Sequence, residues 1–258
     1  IPVLFLKDGY LVRSEKFKIH QNLGNPIAQV DRYNLWDVDE LIYIDISEND
    51  SYSNKRKDTG EKNDVPKNVT ELISIVAKSC FMPLTFGGGI RSIEDISVRM
   101  ASGADKITIN TKALERPEFI TQASTKFGSQ AIVVSVDYKL NKDGLYKVYS
   151  DRGAKETSWN PQDWVIECQK RGAGEILLNS IDLDGLATGY DIKLINSVVN
   201  NSKIPIIACG GVGNYKHFQE GIEDGKASAV AAGNIFHFKE LAYPLAKRAL
   251  KKEGLNFR

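Results

Sequence analysis

The stretch AIVVSVD (131–137) is an apolar run of β-forming residues that ends on a carboxylate, Asp137. A continuous apolar run of this length is typical of a strand buried on both faces, as in a parallel sheet. Further runs of the same kind are spread along the chain, and longer helical patterns separate them. They are IPVLFL (1–6), LIYIDI (41–46), MPLTF (82–86), KITIN (106–110), EILLNS (175–180), IPIIA (204–208) and SAVAA (228–232).

Eight strands that alternate with helices over about 250 residues are the signature of a (β/α)8 barrel. We therefore predict an α/β fold in which residues 1–258 form a single (β/α)8 (TIM) barrel domain. Helix starts support this order: Ser92 with Asp95 makes a capping box, and Asn160 precedes an N1 proline. A doubly wound open sheet is the alternative, which is weakened because no G-x-G-x-x-G follows the first strand.

Three short patterns occur twice, at nearly the same spacing in each pair. Two homologous half-barrels would produce such a repeat, whereas chance is the alternative for any single match. The pairs are FGGGI (86–90) with CGGVG (209–213), TIN (108–110) with AGN (232–234), and VLFL (3–6) with VSVD (134–137).

The repeated glycine turns predict phosphate sites. At the carboxyl end of a barrel strand, a glycine turn lets backbone N–H groups approach a phosphate, and the next helix N-terminus favours its charge. Two such sites on one rim predict a ligand with a phosphate at each end; the alternative is that the glycines only serve tight turns. One predicted site comprises Gly88, Gly89, Asn110 and Thr111, and the other Gly210, Gly211, Gly233 and Asn234.

Carboxylates at strand ends are the candidate catalytic groups of a barrel. Asp137 is foremost, because burial at the end of an apolar strand would raise its pKa and suit it to proton transfer. Asp8 and Asp143 fit turns instead. The other carboxylates of this kind are Asp45, Asp182 and Asp184, while His20, His217 and His237 have no metal-ligand spacing, so no metal is expected.

Composition narrows the partners and the compartment. The net charge is +1, from 34 basic and 33 acidic residues, which gives no electrostatic reason to expect nucleic acid or a membrane. Three cysteines without paired spacing, and no secretory or membrane-spanning segment, predict a cytoplasmic protein without disulfides. The charged stretch 47–64 is expected to be a solvated loop.

Several long motifs resemble the cyclase subunit of imidazole glycerol phosphate synthase, an enzyme of histidine synthesis. The resemblance implies a barrel whose N-terminal face binds a glutaminase. Ammonia made there passes through the barrel to a bisphosphorylated substrate at the C-terminal face, and no cofactor is expected. The motifs are DKITIN (105–110), KFGSQAIVVSVDYK (126–139), QKRGAGEILLNSIDLDG (169–185), IPIIACGGVGNYKHF (204–218) and NIFHF (234–238).

The resemblance also assigns roles to single residues. It makes Asp137 a catalytic aspartate, and it gives Arg13 the place of a lysine on a mobile loop. It also puts a further gate residue, an arginine, before Ile1. Further roles fall on Gly89, Asn110 and Thr111 (near phosphate), Asp184, Gly185, Gly211, Gly233 and Asn234 (far phosphate), Glu40, Lys106 and Glu175 (ammonia gate), and Asp105 (partner interface).

The chain departs from this family at its first strand. The family pattern L-D-V-K-D-G is replaced by LFLKDG (4–9), so that Phe5 stands where the first catalytic aspartate is expected. A phenyl ring cannot exchange a proton, and such groups contribute roughly 10²–10⁴-fold to rates. Three hypotheses stay open: a divergent paralogue that supplies ammonia, with a third amidotransferase subunit, to acetamidino-sugar (surface polysaccharide) synthesis; an authentic cyclase subunit; and a non-catalytic phosphate-binding scaffold.

Overall fold

The structure is a computed structural model that describes residues 1–49, 51–52, 66–238 and 240–255. Most of the stretch 47–64, predicted as a solvated loop, therefore lies outside the described residues. In the described part, the strands are β1 (Val3–Lys7), β2 (Tyr10–Glu15), β3 (Ile19–Gly24), β4 (Leu41–Asp45), β5 (Leu84–Gly87), β6 (Lys106–Ile109), β7 (Ile132–Leu140), β8 (Tyr146–Ser150), β9 (Lys155–Glu156), β10 (Glu175–Ser180), β11 (Ile206–Cys209) and β12 (Ala229–Val230).

Helices connect these strands. They are α1 (Ala28–Leu35), α2 (Val69–Ser79), α3 (Ile93–Ala101), α4 (Thr111–Glu115), α5 (Glu118–Phe127), α6 (Pro161–Lys170), α7 (Ile192–Asn200), α8 (Tyr215–Glu223), α9 (Ile235–Phe238) and α10 (Ala242–Lys252), with a 3₁₀ turn at Ser129–Ala131.

The parallel strands follow one another around the sheet in the order β1, β4, β5, β6, β7, β10, β11 and β12. Backbone hydrogen bonds join the last to the first: the Val3 N–H donates to the Ala232 carbonyl (2.9 Å), and the Ala232 N–H donates to the Ile1 carbonyl (3.0 Å). Every apolar run predicted as a strand overlaps one of these strands. The (β/α)8 barrel is confirmed, and the open doubly wound sheet is excluded.

Two apolar layers hold the barrel together. The larger lies between the strands and the surrounding helices, where residues such as Leu72, Ile96 and Ile195 are buried. The smaller fills the barrel interior with side chains that include Val133, Leu177 and Phe5. Burial on both faces explains why the strands are continuous apolar runs rather than alternating ones.

The helix starts also agree with their sequence signals. Ser92 and Asp95 form the reciprocal capping box of α3. The Asn160 side chain accepts a hydrogen bond from the Asp163 N–H, and Pro161 occupies the first turn of α6. Each cap satisfies N–H groups that would otherwise lack a partner at the helix start.

An antiparallel ribbon extends the first strand of each half. β1 continues into β2 and β3, and β7 continues into β8 and β9. Phe5 pairs with Val12 of the first ribbon, as Asp137 pairs with Tyr149 of the second. This arrangement supports the half-barrel repeat and places Phe5 where Asp137 stands in the other half.

Candidate functional site

A cavity of about 670 Å³ opens at the carboxyl ends of the strands. It brings together the predicted catalytic position and one of the two predicted phosphate sites. Cationic side chains also line it. Its walls include Phe5, Asp45, Gly88, Gly89, Asn110, Thr111 and Asp137, the cations Lys7, Lys18, Arg91, Lys112 and Arg152, and His20.

Asp137 is the carboxylate best placed for proton transfer. It is 8% exposed at the end of an apolar strand. Burial raises its pKa to about 7, against the opposing hydrogen bonds from Ser135 and Asn179, and the charge of Asp184 adds to the rise. The Ser135 hydroxyl donates to Asp137 Oδ1 at 2.8 Å and fixes its orientation. A carboxyl group whose pKa lies near neutral pH can both give and take a proton.

Phe5 presents only an apolar surface to this cavity. It is 8% exposed, and its ring meets that of Phe17 edge-on, with 6.3 Å between the ring centroids. Ile44 lies opposite Phe5 on the neighbouring strand. The site therefore has one strand-end carboxylate on β7 and a packed aromatic ring at the matching place on β1.

The glycine turn after β5, residues 87–90, closely approaches the neighbouring strand end. Gly88 has φ +95°, and a Cβ added there would lie 1.9 Å from the Asp45 carbonyl oxygen. Only glycine fits such a position. Burial raises the pKa of Asp45, although hydrogen bonds from Ser47 and Tyr52 and the charge of Arg99 oppose the rise. We call Gly88, Gly89, Asn110 and Thr111 the near site.

In the near site, the polar side chains that follow β6 are tied to the second ribbon. The Asn110 amide donates to the carbonyls of Ser135 (3.1 Å) and Tyr149 (3.2 Å). The Thr111 hydroxyl accepts from the Asp151 N–H at 3.0 Å. These contacts fix one wall of the cavity and leave the glycine turn open to it.

The second predicted phosphate site lies outside this cavity. We call Asp184, Gly185, Gly210, Gly211, Gly233 and Asn234 the far site. Residues 14–17 of the first ribbon lie on it: the Ser14 hydroxyl (2.6 Å) and the Phe17 N–H (3.2 Å) donate to Asp184 Oδ2. The Asn234 amide donates to the Ser14 carbonyl at 3.0 Å. In this arrangement, residues 14–17 already bind the side chains of Asp184 and Asn234.

Gly185 and Gly211 are enclosed by backbone in this arrangement. An added Cβ would lie 2.5 Å from the Ser14 carbonyl oxygen at Gly185, and 2.0 Å from the Gly189 carbonyl oxygen at Gly211. Arg13, in the place of the family's loop lysine, pairs with Glu15 on the same ribbon at 2.9 Å.

The three predicted gate residues meet at the opposite, N-terminal mouth. Lys106 Nζ lies 2.7 Å from Glu175 Oε1 and 3.3 Å from Glu40 Oε2. Burial would lower the pKa of Lys106, but the two carboxylates outweigh this and raise it. Nearby, Asp105 is exposed, and its carboxylate accepts from the Leu84 N–H at 2.8 Å.

A comparison with protein-family models identifies the group to which this barrel belongs. A model described as "Histidine biosynthesis protein" matches residues 1–242. The chain belongs to the histidine biosynthesis protein family. The match agrees with the fold, and it is coarser than the resemblance to one subunit that the motifs suggested.

Two other candidates of the sequence have structural partners in this member of the histidine biosynthesis family. Asp182 accepts from the Leu140 N–H at 2.9 Å, and His217 Nδ1 accepts from the Gly213 N–H at 3.1 Å. His237 is partly buried, and within the described residues its Nδ1 has no hydrogen-bond partner. In the described ranges, no three His, Cys, Asp or Glu side chains are grouped as a metal site requires. In the same residues, no helix is long and apolar enough to cross a bilayer.

Sequence reasoning missed the polar partners of Asp137. Ser135 precedes Asp137 by two positions on the same strand, so the two side chains share one face, a signal that alternation could have supplied. Asn179 lies opposite Asp137 on β10, a contact that only strand register reveals. His20 has no metal-ligand spacing in the sequence, and it lines the cavity because β3 pairs with β2.

Proposed function

We propose that this protein is the synthase subunit of a glutamine amidotransferase complex. Ammonia enters from a glutaminase bound at the N-terminal face, crosses the barrel, and reacts with a phosphorylated substrate in the cavity at the carboxyl ends of the strands. The charge cluster of Lys106 with Glu40 and Glu175 at the N-terminal mouth carries this proposal.

The barrel interior suits the passage of ammonia. Behind the charge cluster lie apolar side chains that include Val133, Leu177 and Ile207. An ion would lose its hydration in such surroundings, whereas uncharged ammonia does so at much smaller cost. The charge cluster with an apolar interior behind it therefore favours the passage of uncharged ammonia over that of ammonium.

An apolar surface beside this mouth suits a partner protein. Leu35 at the end of α1 and Phe81 just after α2 are each 87% exposed. Asn34 joins the two helix ends: its amide donates to the Ser79 carbonyl (2.5 Å), and its side-chain oxygen accepts from the Phe81 N–H (3.2 Å). Large exposed apolar side chains held on a rigid base are typical of protein-binding surfaces.

The residue at position 5 favours a substrate other than that of the histidine cyclase. Phe5 cannot exchange a proton, while Asp137 and the near site are retained. The finer proposal is therefore a divergent paralogue that delivers ammonia, with a third amidotransferase subunit, for acetamidino groups of surface polysaccharide.

The second candidate is an authentic cyclase subunit of histidine synthesis. The family match and Asp137 favour it, since a pKa of about 7 suits one carboxyl group to both steps of acid–base catalysis. On this alternative Asp137 works without a carboxylate at position 5.

The proposed ammonia route can be tested by measuring whether this protein stimulates a glutaminase. The protein is co-expressed with the glutaminase subunit of an imidazole glycerol phosphate synthase, and glutamate release is measured with and without the barrel protein. We expect the two to co-purify and Lys106→Met to reduce the stimulation by about tenfold, a typical coupling strength.

Lys247→Met is the matched control, because Lys247 pairs with Asp39 at 2.7 Å with similar burial but lies on α10, outside the strand ring. Equal effects of the two variants, or no co-purification, would refute the proposal.

A further inference from the structure

Arg99 is a cation inside the helix–strand layer of the barrel. It lies on α3, three residues after the buried Ile96, and is only 5% exposed. Arginine is almost never fully buried unless its charge is paired. Its contacts should therefore show what this charge does for the neighbouring structure.

Among its contacts, Arg99 joins the glycine turn of the near site to the supporting helix, α3. Arg99 Nη2 donates to the Gly88 carbonyl at 3.2 Å, and Nη1 donates to the Asp95 carbonyl at 3.3 Å. The Asp95 carboxylate lies 4.0 Å from the guanidinium and accepts from the N–H groups of Arg91 (2.9 Å) and Ser92 (2.8 Å). Arg99 thus binds the glycine turn at Gly88, and Asp95 binds the backbone that follows the turn.

The other half of the barrel repeats the turn without the cation. Asn214 caps α8 as Ser92 caps α3, and His217 accepts from the Gly213 N–H as Asp95 accepts from that of Arg91. The position that corresponds to Arg99 is Gly221. A Cβ there would lie 2.7 Å from the Val230 side chain and 3.0 Å from the Tyr190 ring, so this place has no room for an arginine.

We propose that Arg99 is a positioning residue that makes the near site the stronger of the two phosphate sites. Its guanidinium fixes the Gly88 carbonyl and adds a positive charge behind the turn, although it does not itself line the cavity. A phosphate at the near site gains from this charge because few water molecules can screen a buried cation. The inference rests on the proposed phosphate-binding function of the cavity.

Site-resolved phosphate binding tests this role. The ¹⁵N-labelled protein is titrated with inorganic phosphate, and the amide signals of Gly89 and Gly211 report the near and far sites separately. Arg99→Gln should weaken binding at Gly89 by about tenfold, the effect of losing one charge at several ångströms in a medium of intermediate dielectric, with no change at Gly211. Arg99→Lys keeps the charge and should retain most of the binding.

Lys126→Gln is the control for charge alone, since Lys126 reaches α3 from the solvent side through Ser97 (3.0 Å) and should leave both sites unchanged. If the spectrum shows that Arg99→Gln is unfolded, Arg99→Leu, which is apolar, replaces it with the same expectation. If the neutral variant binds phosphate at Gly89 as tightly as the wild type does, the role of Arg99 is overturned and the phosphate site stands. Absence of wild-type binding at Gly89 would overturn the phosphate site as well.

Discussion

Replacing Phe5 with aspartate would restore the carboxylate that the first strand lacks, and it should cost stability. The Phe5 ring is 8% exposed, contacts Phe17, and belongs to the apolar cluster inside the barrel. Removing a buried phenylalanine side chain costs roughly 3–5 kcal/mol. Because Phe5 borders the cavity, we expect the lower end, about 3 kcal/mol, and hence a melting temperature lower by roughly 6–12 °C for a chain of this size.

The loss of stability in Phe5→Asp should depend on pH. Burial, together with the charge of Asp137 in the same cavity, would raise the pKa of the new carboxyl group above its value in the unfolded chain. The folded state then binds its proton more tightly, so this stability is present at low pH and is lost as the pH rises through the raised pKa. The deficit relative to wild type should be smaller at pH 5 than at pH 8.

Phe5→Asn is the matched control, because asparagine has nearly the same shape and does not titrate. Its deficit should be equal at both pH values, and it should gain no cyclase activity. Phe5→Asp should raise any residual turnover of the bisphosphate cyclase substrate with free ammonium, since Asp137 is already in place. Calorimetry at both pH values and a product assay provide the measurements. A pH-independent deficit in Phe5→Asp would refute the reasoning about burial, and equal turnover in the two variants would refute the role of a carboxylate.

The remaining predictions concern Asp137, the glycine turn and the order in which the two phosphate sites fill. The wild-type protein should lose stability between about pH 4 and 7, because the pKa of Asp137, raised to about 7, makes its ionised form destabilise the fold by at most roughly 4 kcal/mol at high pH. Asp137→Asn should remove this loss and raise the melting temperature at pH 8. A wild-type melting temperature that is constant over this range would contradict the prediction. Gly88→Ala should cost several kcal/mol and abolish near-site phosphate binding, whereas Gly144→Ala, also at positive φ but with nothing within 4 Å of the added Cβ, should cost about 1 kcal/mol; equal losses in thermal melts would refute the steric argument. In crystals soaked with phosphate, an ion should occupy the near site first, and one at Asp184 should appear only with residues 14–17 displaced; an ion there beside an unmoved ribbon would contradict the assignment.

The sequence predicted the barrel well because its strands are buried on both faces. Each strand is a continuous apolar run that needs no knowledge of its neighbours. The resemblance assigned Lys106 and Glu175 to one gate, and both begin barrel strands and so lie at the N-terminal mouth. Their ion pairs depend on side-chain reach, which only the structure supplies.

The contacts that sequence reasoning missed are set by tertiary pairing. β3 is polar and largely exposed, so no hydrophobic pattern marked the ribbon whose residues 14–17 lie on the far site. Arg99 is a charge on the apolar face of α3, where periodicity alone predicts an apolar residue. Its partner, the Gly88 carbonyl, could not be identified without the helix–turn geometry.

The most direct test of the account is the cyclase activity of the wild-type protein. The protein is given free ammonium and the bisphosphorylated cyclase substrate, and imidazole glycerol phosphate is measured beside a cyclase that carries both aspartates. With Phe5 at the first position, the account predicts substrate binding with turnover lower by roughly 10²–10⁴-fold, the contribution of a lost acid–base group. Turnover equal to that of the reference cyclase would contradict it and make this protein a working subunit of histidine synthesis.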